Sequence, residues 1–251
     1  MDTMTILYRN IKLRFNNLFT IFITILQPIL WLVLYSTVAG ETMKNTGIEN
    51  YTAFILPGLI VLVIFATCSS SGMMNYIMKN NGSFYRILIA PVKRYSIVLG
   101  QILEGVLCSF FEVAVMILIS LLFSVTIPLN VPSIISIILL IFMTAFFMAS
   151  ISYSISLTLP NEMIYETVMN AIVLPLFFLS SALFPTEEIR GLLSILVKLN
   201  PFTHVINALR FIILNGNISI KDIIFVLILL LVLSSISFLS AIKSLKSQTK
   251  L

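Results

Sequence analysis

Charge is scarce in this chain. Only 10% of its 251 residues are Asp, Glu, Lys or Arg, against about 25% in an ordinary soluble domain. So few charges cannot cover a water-soluble globule, and the mean hydropathy of +1.09 points the same way. The chain reads as an integral membrane protein. Cysteine is nearly absent too: Cys68 and Cys108 both lie in apolar runs, with no spacing for a disulfide framework or a metal. The single histidine, His204, has no Cys, Asp or second His at ligand spacing, which predicts a polar group on a helix face rather than a zinc ligand. No Gly-Lys dipeptide occurs, so the phosphate loop G-x-x-x-x-G-K-[ST] is missing from these residues. The basic start, with Arg9, Lys12 and Arg14, runs into a span-length apolar segment without a small-x-small cleavage site, and no cleavable signal peptide is expected. The net charge of +5 invites a nucleic-acid reading, but the cations are scattered between apolar runs. Cations that flank spans are a topology signal, and no nucleic-acid partner is expected.

What the chain does have is long apolar runs. Six are long enough to cross a core of about 30 Å as helices, at about 20 residues each. They cover 18–39, 54–75, 97–125, 132–159, 164–183 and 220–242. With both termini on one side, that side holds Arg9, Lys12, Arg14, Lys79, Arg86, Lys93, Arg94, Lys243, Lys246 and Lys250. The other holds Lys44, Arg190, Lys198, Arg210 and Lys221. The excess predicts cytoplasmic termini in a multi-pass protein of the cell membrane, with a bacterium the expected setting.

Three pieces are neither span nor plain loop. In residues 1–17, Met4, Leu7, Ile11, Phe15 and Leu18 repeat at helical spacing while Arg9, Lys12 and Arg14 lie off the stripe. That describes an amphipathic helix in the inner interface. In residues 184–216, Ile189, Leu192, Leu193 and Leu196 make one stripe, with Glu187 and Glu188 in the expected first turn and Lys198 in the last. Asn200–Pro201 then breaks the chain, and a second stripe runs from Phe202 to Ile213 before Gly216. Two outer re-entrant helices are expected. Residues 76–96 form a cytoplasmic loop, with a turn at Asn80–Ser83 and a short helix at Phe84, Tyr85, Arg86, Ile87 and Leu88 that Pro91 stops. Large apolar groups beside Arg86, Lys93 and Arg94 make a poor solvated loop and a good docking knob.

"RILIAPVKR" leading into "LGQIL", with "FLSSALFP" and "LNPFTHVINALR", resembles permeases of type-2 ATP-binding-cassette exporters, most of all the daunorubicin-exporter-like drug-resistance branch. The resemblance covers nearly the whole chain. It implies an all-α membrane domain with six spans, an interfacial first helix, a cytoplasmic coupling helix and outer re-entrant helices. It also implies a separate ATPase subunit in two copies, which holds ATP and magnesium, and a second permease copy, identical or not. No cofactor is then expected in this chain. Phe84, Tyr85, Arg86, Ile87 and Leu88 would enter the ATPase groove, with Pro91, Lys93 and Arg94 leading back to the membrane. The implied cargo is a hydrophobic or amphipathic compound such as a drug, an antimicrobial peptide or a lipid-like molecule. A lipid-linked polysaccharide is the alternative within the family.

Glu104 and Glu112 fall in the third span, where an ionisable group is costly and marks a functional hypothesis. Glu112 reads as a packed, hydrogen-bonded glutamate or a group on the substrate path. Glu104, nearer the cytoplasmic end, reads as an ion-pair partner of Lys93 or Arg94, with the substrate path as its second role. Phe184, Pro185, Asn200, Pro201 and Arg210 are candidates for an outer gate. A lipid-modifying enzyme would need a convergent set of His, Asp or Glu at one depth, and a channel a continuous polar path. Neither pattern is present in the sequence.

Overall fold

The computed structural model describes residues 2–15, 18–39, 50–183, 190–216 and 219–248. Among them every regular element is helical. The helices are α1 (Asp2–Phe15), α2 (Leu18–Leu34, continued by a π-helical turn at Tyr35–Ala39), α3 (Tyr51–Asn80), α4 (Ser83–Ile89) and α5 (Arg94–Leu121). There follow α6 (Val131–Thr158), α7 (Glu162–Phe178), α8 (Leu192–Leu199), α9 (Pro201–Asn215) and α10 (Ile220–Ser247).

Asparagine sets where many of these helices start. Asn50, Asn130, Asn161 and Asn200 each accept a backbone N–H of the first turn through the side-chain oxygen, satisfying donors that lipid would leave bare. Four helices, α3, α5, α6 and α10, are long and apolar enough to cross a membrane. The pair α8–α9 would add a fifth if counted as one broken span, but it bends by 75° at Asn200. One of the expected spans ends early. α2 with its π-helical turn covers 18–39 as expected, but α7 has 17 residues. α7 stops at Phe178, and the chain turns through Leu179–Leu183 where a span to residue 183 was expected. There Asn200 Nδ2 donates to the carbonyls of Leu176 (2.6 Å) and Leu179 (2.9 Å), taking up groups that would otherwise continue the helix.

α3 is the central post. Its apolar window is 83% buried, and α2, α5, α6, α7 and α9 all pack on it. Because lipid tails are as apolar as leucine, close packing and polar contacts rather than water exclusion hold such helices together. Gly58 lets the chain at Ala182 approach so near that a Cβ there would lie 2.7 Å from Ala182 Cα. Gly72 does the same for Ser152 and Tyr165, which hydrogen-bond each other at 2.6 Å. α10 lies along α6 and turns most of its apolar surface outward.

The first helix is amphipathic, but its buried face is not the expected stripe. Met4 is 71% exposed, whereas Ile6, Leu7, Asn10 and Arg14 are buried. α1 packs along α5, close enough that a Cβ on Gly100 would meet Ile6 Cγ2 at 2.7 Å. The basic residue Arg14, placed on the polar side by periodicity, turns inward because α5 offers it two carboxylates.

The end of the bundle opposite α4 is tied by side chains reaching between distant segments. Asn50 Nδ2 donates to Ser124 O, Asn130 Nδ2 to Gly216 O, and Tyr51 OH to Leu183 O. In the 184–216 segment, α8 begins only at Leu192, after Gly191 at a φ of +73°. Glu187 and Glu188, expected in a first helical turn, lie with Phe184, Pro185 and Ile189 outside the described residues.

Candidate functional site

At the α4 end, Asn81 and Gly82 make the turn. Gly82 takes a φ of +73°, the left-handed region that costs glycine little, and Asn81 Oδ1 accepts from Ser83 N at 3.0 Å. Two turns of helix follow, and Ala90 goes extended ahead of Pro91. The helix has a clear inside and outside. Phe84 is 2% exposed and sits under the Lys79 ammonium, 5.6 Å from its ring centre. Ile87 and Leu88 pack partly against the core. Arg94 Nη1 donates to Leu88 O at 2.8 Å, closing the last turn where carbonyls lack partners. Tyr85, Arg86, Pro91 and Lys93 face out, joined by Ile89 at 85% exposure. Of the eight residues expected to dock, Phe84, Ile87, Leu88 and Arg94 hold the knuckle in shape. Ile89 is not among the residues expected to dock; its spacing of four from Tyr85 and three from Arg86, which places it on their helix face, is the signal in the sequence.

Next to this knuckle lies a buried polar core. Arg14 approaches Glu104 Oε1 through Nη1 at 3.2 Å and Glu112 Oε1 through Nη2 at 3.8 Å. The expected pairing of Glu104 with Lys93 or Arg94 is absent; Arg94 is spent on Leu88 O, and Arg14 is the partner. Glu104 also accepts from Ser71 Oγ, and Glu112 Oε2 from Thr67 Oγ1 at 2.5 Å. Gln101 Nε2 donates to Ser71 O at 3.2 Å while its oxygen accepts Asn10 Nδ2 at 2.9 Å. The set stitches α1, α3 and α5 together. Burial works against the Arg14 charge, but Glu104 and Glu112 outweigh it and hold the guanidinium above its ordinary range. Both glutamates are almost wholly buried, Glu104 at 1% and Glu112 at 3%, and neither is among the residues that line the cleft between α2, α3 and α7.

A cleft of about 380 Å³ opens instead between α2, α3 and α7. Trp31, Leu62, Phe65 and Met73 supply apolar wall, and Gln27, Ser69, Ser70, Glu166 and Asn170 supply polar groups. Glu166 and Asn170 stand four apart, on one face of α7. That spacing inside an apolar segment, with Gln27 in another, was a readable signal that pointed to this wall.

At the far end, Arg210 is the fastener. It donates through Nε to Phe54 O at 2.9 Å and through Nη2 to Ser181 O at 2.5 Å, with its guanidinium 3.8 Å from the Phe54 ring centre. Asn207 accepts from Ser181 Oγ at 2.6 Å and from Arg210 Nη1 at 3.3 Å. Asn200 and Pro201 form the bend itself. His204 donates from Nε2 to Lys198 O at 2.9 Å and meets the Phe225 ring edge-on. No group of three or more His, Cys, Asp or Glu is gathered for a metal among the described residues.

Several apolar helices of membrane-crossing length packed round a central one define an integral membrane protein. Residues 1–214 match the ABC-2 type transporter family, and the chain belongs to that family as a membrane permease. It is similar to the candidate transport permease ycf38 of Cyanophora paradoxa, at 28% identity over 190 residues, 74% of this chain. The matched stretch spans 65% of that relative's length. It is also similar to ycf38 of Porphyra purpurea, at 27% identity over 196 residues, 77% of this chain and 67% of the relative.

Proposed function

We propose that this chain is the permease of an exporter that moves amphipathic or hydrophobic compounds outward across the cell membrane. Two copies would pair, each with a separate ATPase subunit that holds ATP and magnesium. The observation that carries the reading is the outward face of α4. Tyr85, Arg86 and Ile89 are exposed on a helix whose other side is anchored by Phe84. An aromatic, an arginine and a large aliphatic group make the kind of patch that dominates protein interfaces. Its end of the bundle also carries most of the cations that flank the apolar helices, which supports a cytoplasmic setting for α4 and both termini.

The cleft between α2, α3 and α7 supports a cargo with two characters. Trp31 and Phe65 suit an apolar body, and Gln27, Glu166 and Asn170 suit a polar or cationic end. In this reading the cleft takes the substrate-path role, and Glu104 with Glu112 serve by holding α1 on α5. The outer elbow, hinged at Asn200 and Pro201 and latched by Arg210, acts as the gate, with Phe184 and Pro185 as its other hinge.

The test is co-purification of the full chain with its ATPase from membranes. Arg86→Glu with Ile89→Asp replaces two exposed groups and leaves the anchor intact. The double variant is expected to insert normally and to lose most of the bound ATPase, since interface anchors are commonly worth about 1–4 kcal/mol. Full recovery of the ATPase with that variant sinks the docking reading.

A further inference from the structure

We propose that the elbow between α8 and α9 is an anion site that takes a phosphate group and thereby staples the two helices. It lies at the end of the bundle opposite α4, as the bond from Arg210 to Phe54 O, near the start of α3, requires.

A cavity of about 180 Å³ sits in the bend, lined by Ser194, Val197 and Lys198 of α8 and by Thr203, His204 and Asn207 of α9. Its chemistry is one-sided. Among the described residues no acidic side chain is in the lining. Thr203 is 4% exposed, and its hydroxyl has no hydrogen-bond partner; a buried hydroxyl left unpaired is costly. Asn207 is oriented by its oxygen, which already accepts from Ser181 and Arg210, so its amide N–H groups are left as donors. His204 spends Nε2–H on Lys198 O and so ties the α9 start to the end of α8. Lys198 stands exposed with its ammonium in no ion pair among the described residues. A lysine, a hydroxyl and an amide that share one small cavity, one of them already lacking a partner, match an oxyanion. The start of a 15-residue helix adds its positive end.

The phosphate could belong to a membrane lipid headgroup or be free in solution. The geometry favours the lipid, because Lys198 and its exposed apolar neighbours Leu196 and Leu199 can lie at a membrane surface with the ammonium at headgroup level. Bound there, one phosphate would contact both arms of the 75° bend and resist its opening.

The full chain in detergent is melted with increasing inorganic phosphate, with phosphatidylglycerol, and with diacylglycerol, which lacks the phosphate. Stabilisation that grows with ligand reports the affinity. Phosphatidylglycerol alone should stabilise the protein if the lipid is the source, and inorganic phosphate as well if free anion also enters. Either effect should weaken about tenfold in Lys198→Gln, the loss of one charge-assisted bond, and by more in Asn207→Asp, which removes a donor and also sets a carboxylate against the phosphate. Asn207→Asp keeps the acceptor that Ser181 and Arg210 use while it removes the donor. Should it disturb the bundle, Lys198→Gln alone decides the matter, because that side chain is exposed. No stabilisation by either phosphate compound overturns the site. So does stabilisation that diacylglycerol matches or that Lys198→Gln leaves unchanged.

Discussion

Arg14 is one guanidinium between two carboxylates in a place with almost no water. Such a group is held by its partners, and removing it leaves charge behind with nothing to balance it. Arg14→Ala is expected to destabilise the full chain by about 3–5 kcal/mol, read as a lower melting temperature in detergent. Arg14→Lys should recover only part of that loss, because an ammonium is a point charge while the guanidinium forks toward Glu104 and Glu112. A variant without Arg14 that melts like the parent would mean the ion pairs carry no weight. At the same scale, Gly72 admits no side chain: a Cβ would fall 2.2 Å from Ser152 Oγ and 2.3 Å from Tyr165 OH.

Elements decide which of these residues meet the outside. α4 is only seven residues long, too short to persist alone in water. Phe84 under Lys79 holds it against the end of α3, and Arg94 on Leu88 O ties it to the start of α5. α8 and α9 are likewise short and held from elsewhere, by Asn200 on the end of α7 and by Arg210 on α3. Their opposite positions along the bundle make orientation testable. In a chain lacking Cys68 and Cys108, cysteines placed at Ser83 and at Ser194 should react with a membrane-impermeant reagent from opposite sides, Ser194 from outside. Reaction of both positions from outside would overturn the orientation and put α4 out of reach of any cytoplasmic ATPase.

For the whole molecule, α3 links the two ends. Its lower half touches the knuckle through Lys79 and the polar core through Thr67 and Ser71, and its start holds Arg210. A shift of α4 driven by a partner therefore has a rigid, deeply buried helix to act on. If the elbow must open for cargo to leave, a cross-link between cysteines at Ser181 and Asn207, whose side chains already touch at 2.6 Å, should stop transport. ATPase co-purification should survive, and reduction should restore transport. Transport that continues unchanged in the fully cross-linked protein would make the elbow a fixed cover.

Membrane character, helical class, the Asn200–Pro201 break and the position of α4 were all legible in residues 1–251 taken one window at a time. Each depends on something local: the sum of apolar side chains along a span, the barred conformations before proline, the sign of charge beside a run of oil. The partner of Glu104 was not legible, because Arg14 lies 90 positions away, and ion pairs form across space without any trace in spacing. For the same reason the buried face of α1, which shares Leu7 with the expected stripe, is centred on Asn10 and Arg14 rather than on Met4 and Phe15. The 380 Å³ cleft needed three helices to be brought together before Trp31, Ser70 and Glu166 shared a wall. Sequence alone determined that this chain lives in a membrane and where it bends. Tertiary packing decided which of its few charges are spent inside and which are left to meet a partner, because in so apolar a chain a charge's role is set by what lies within a few ångströms of it.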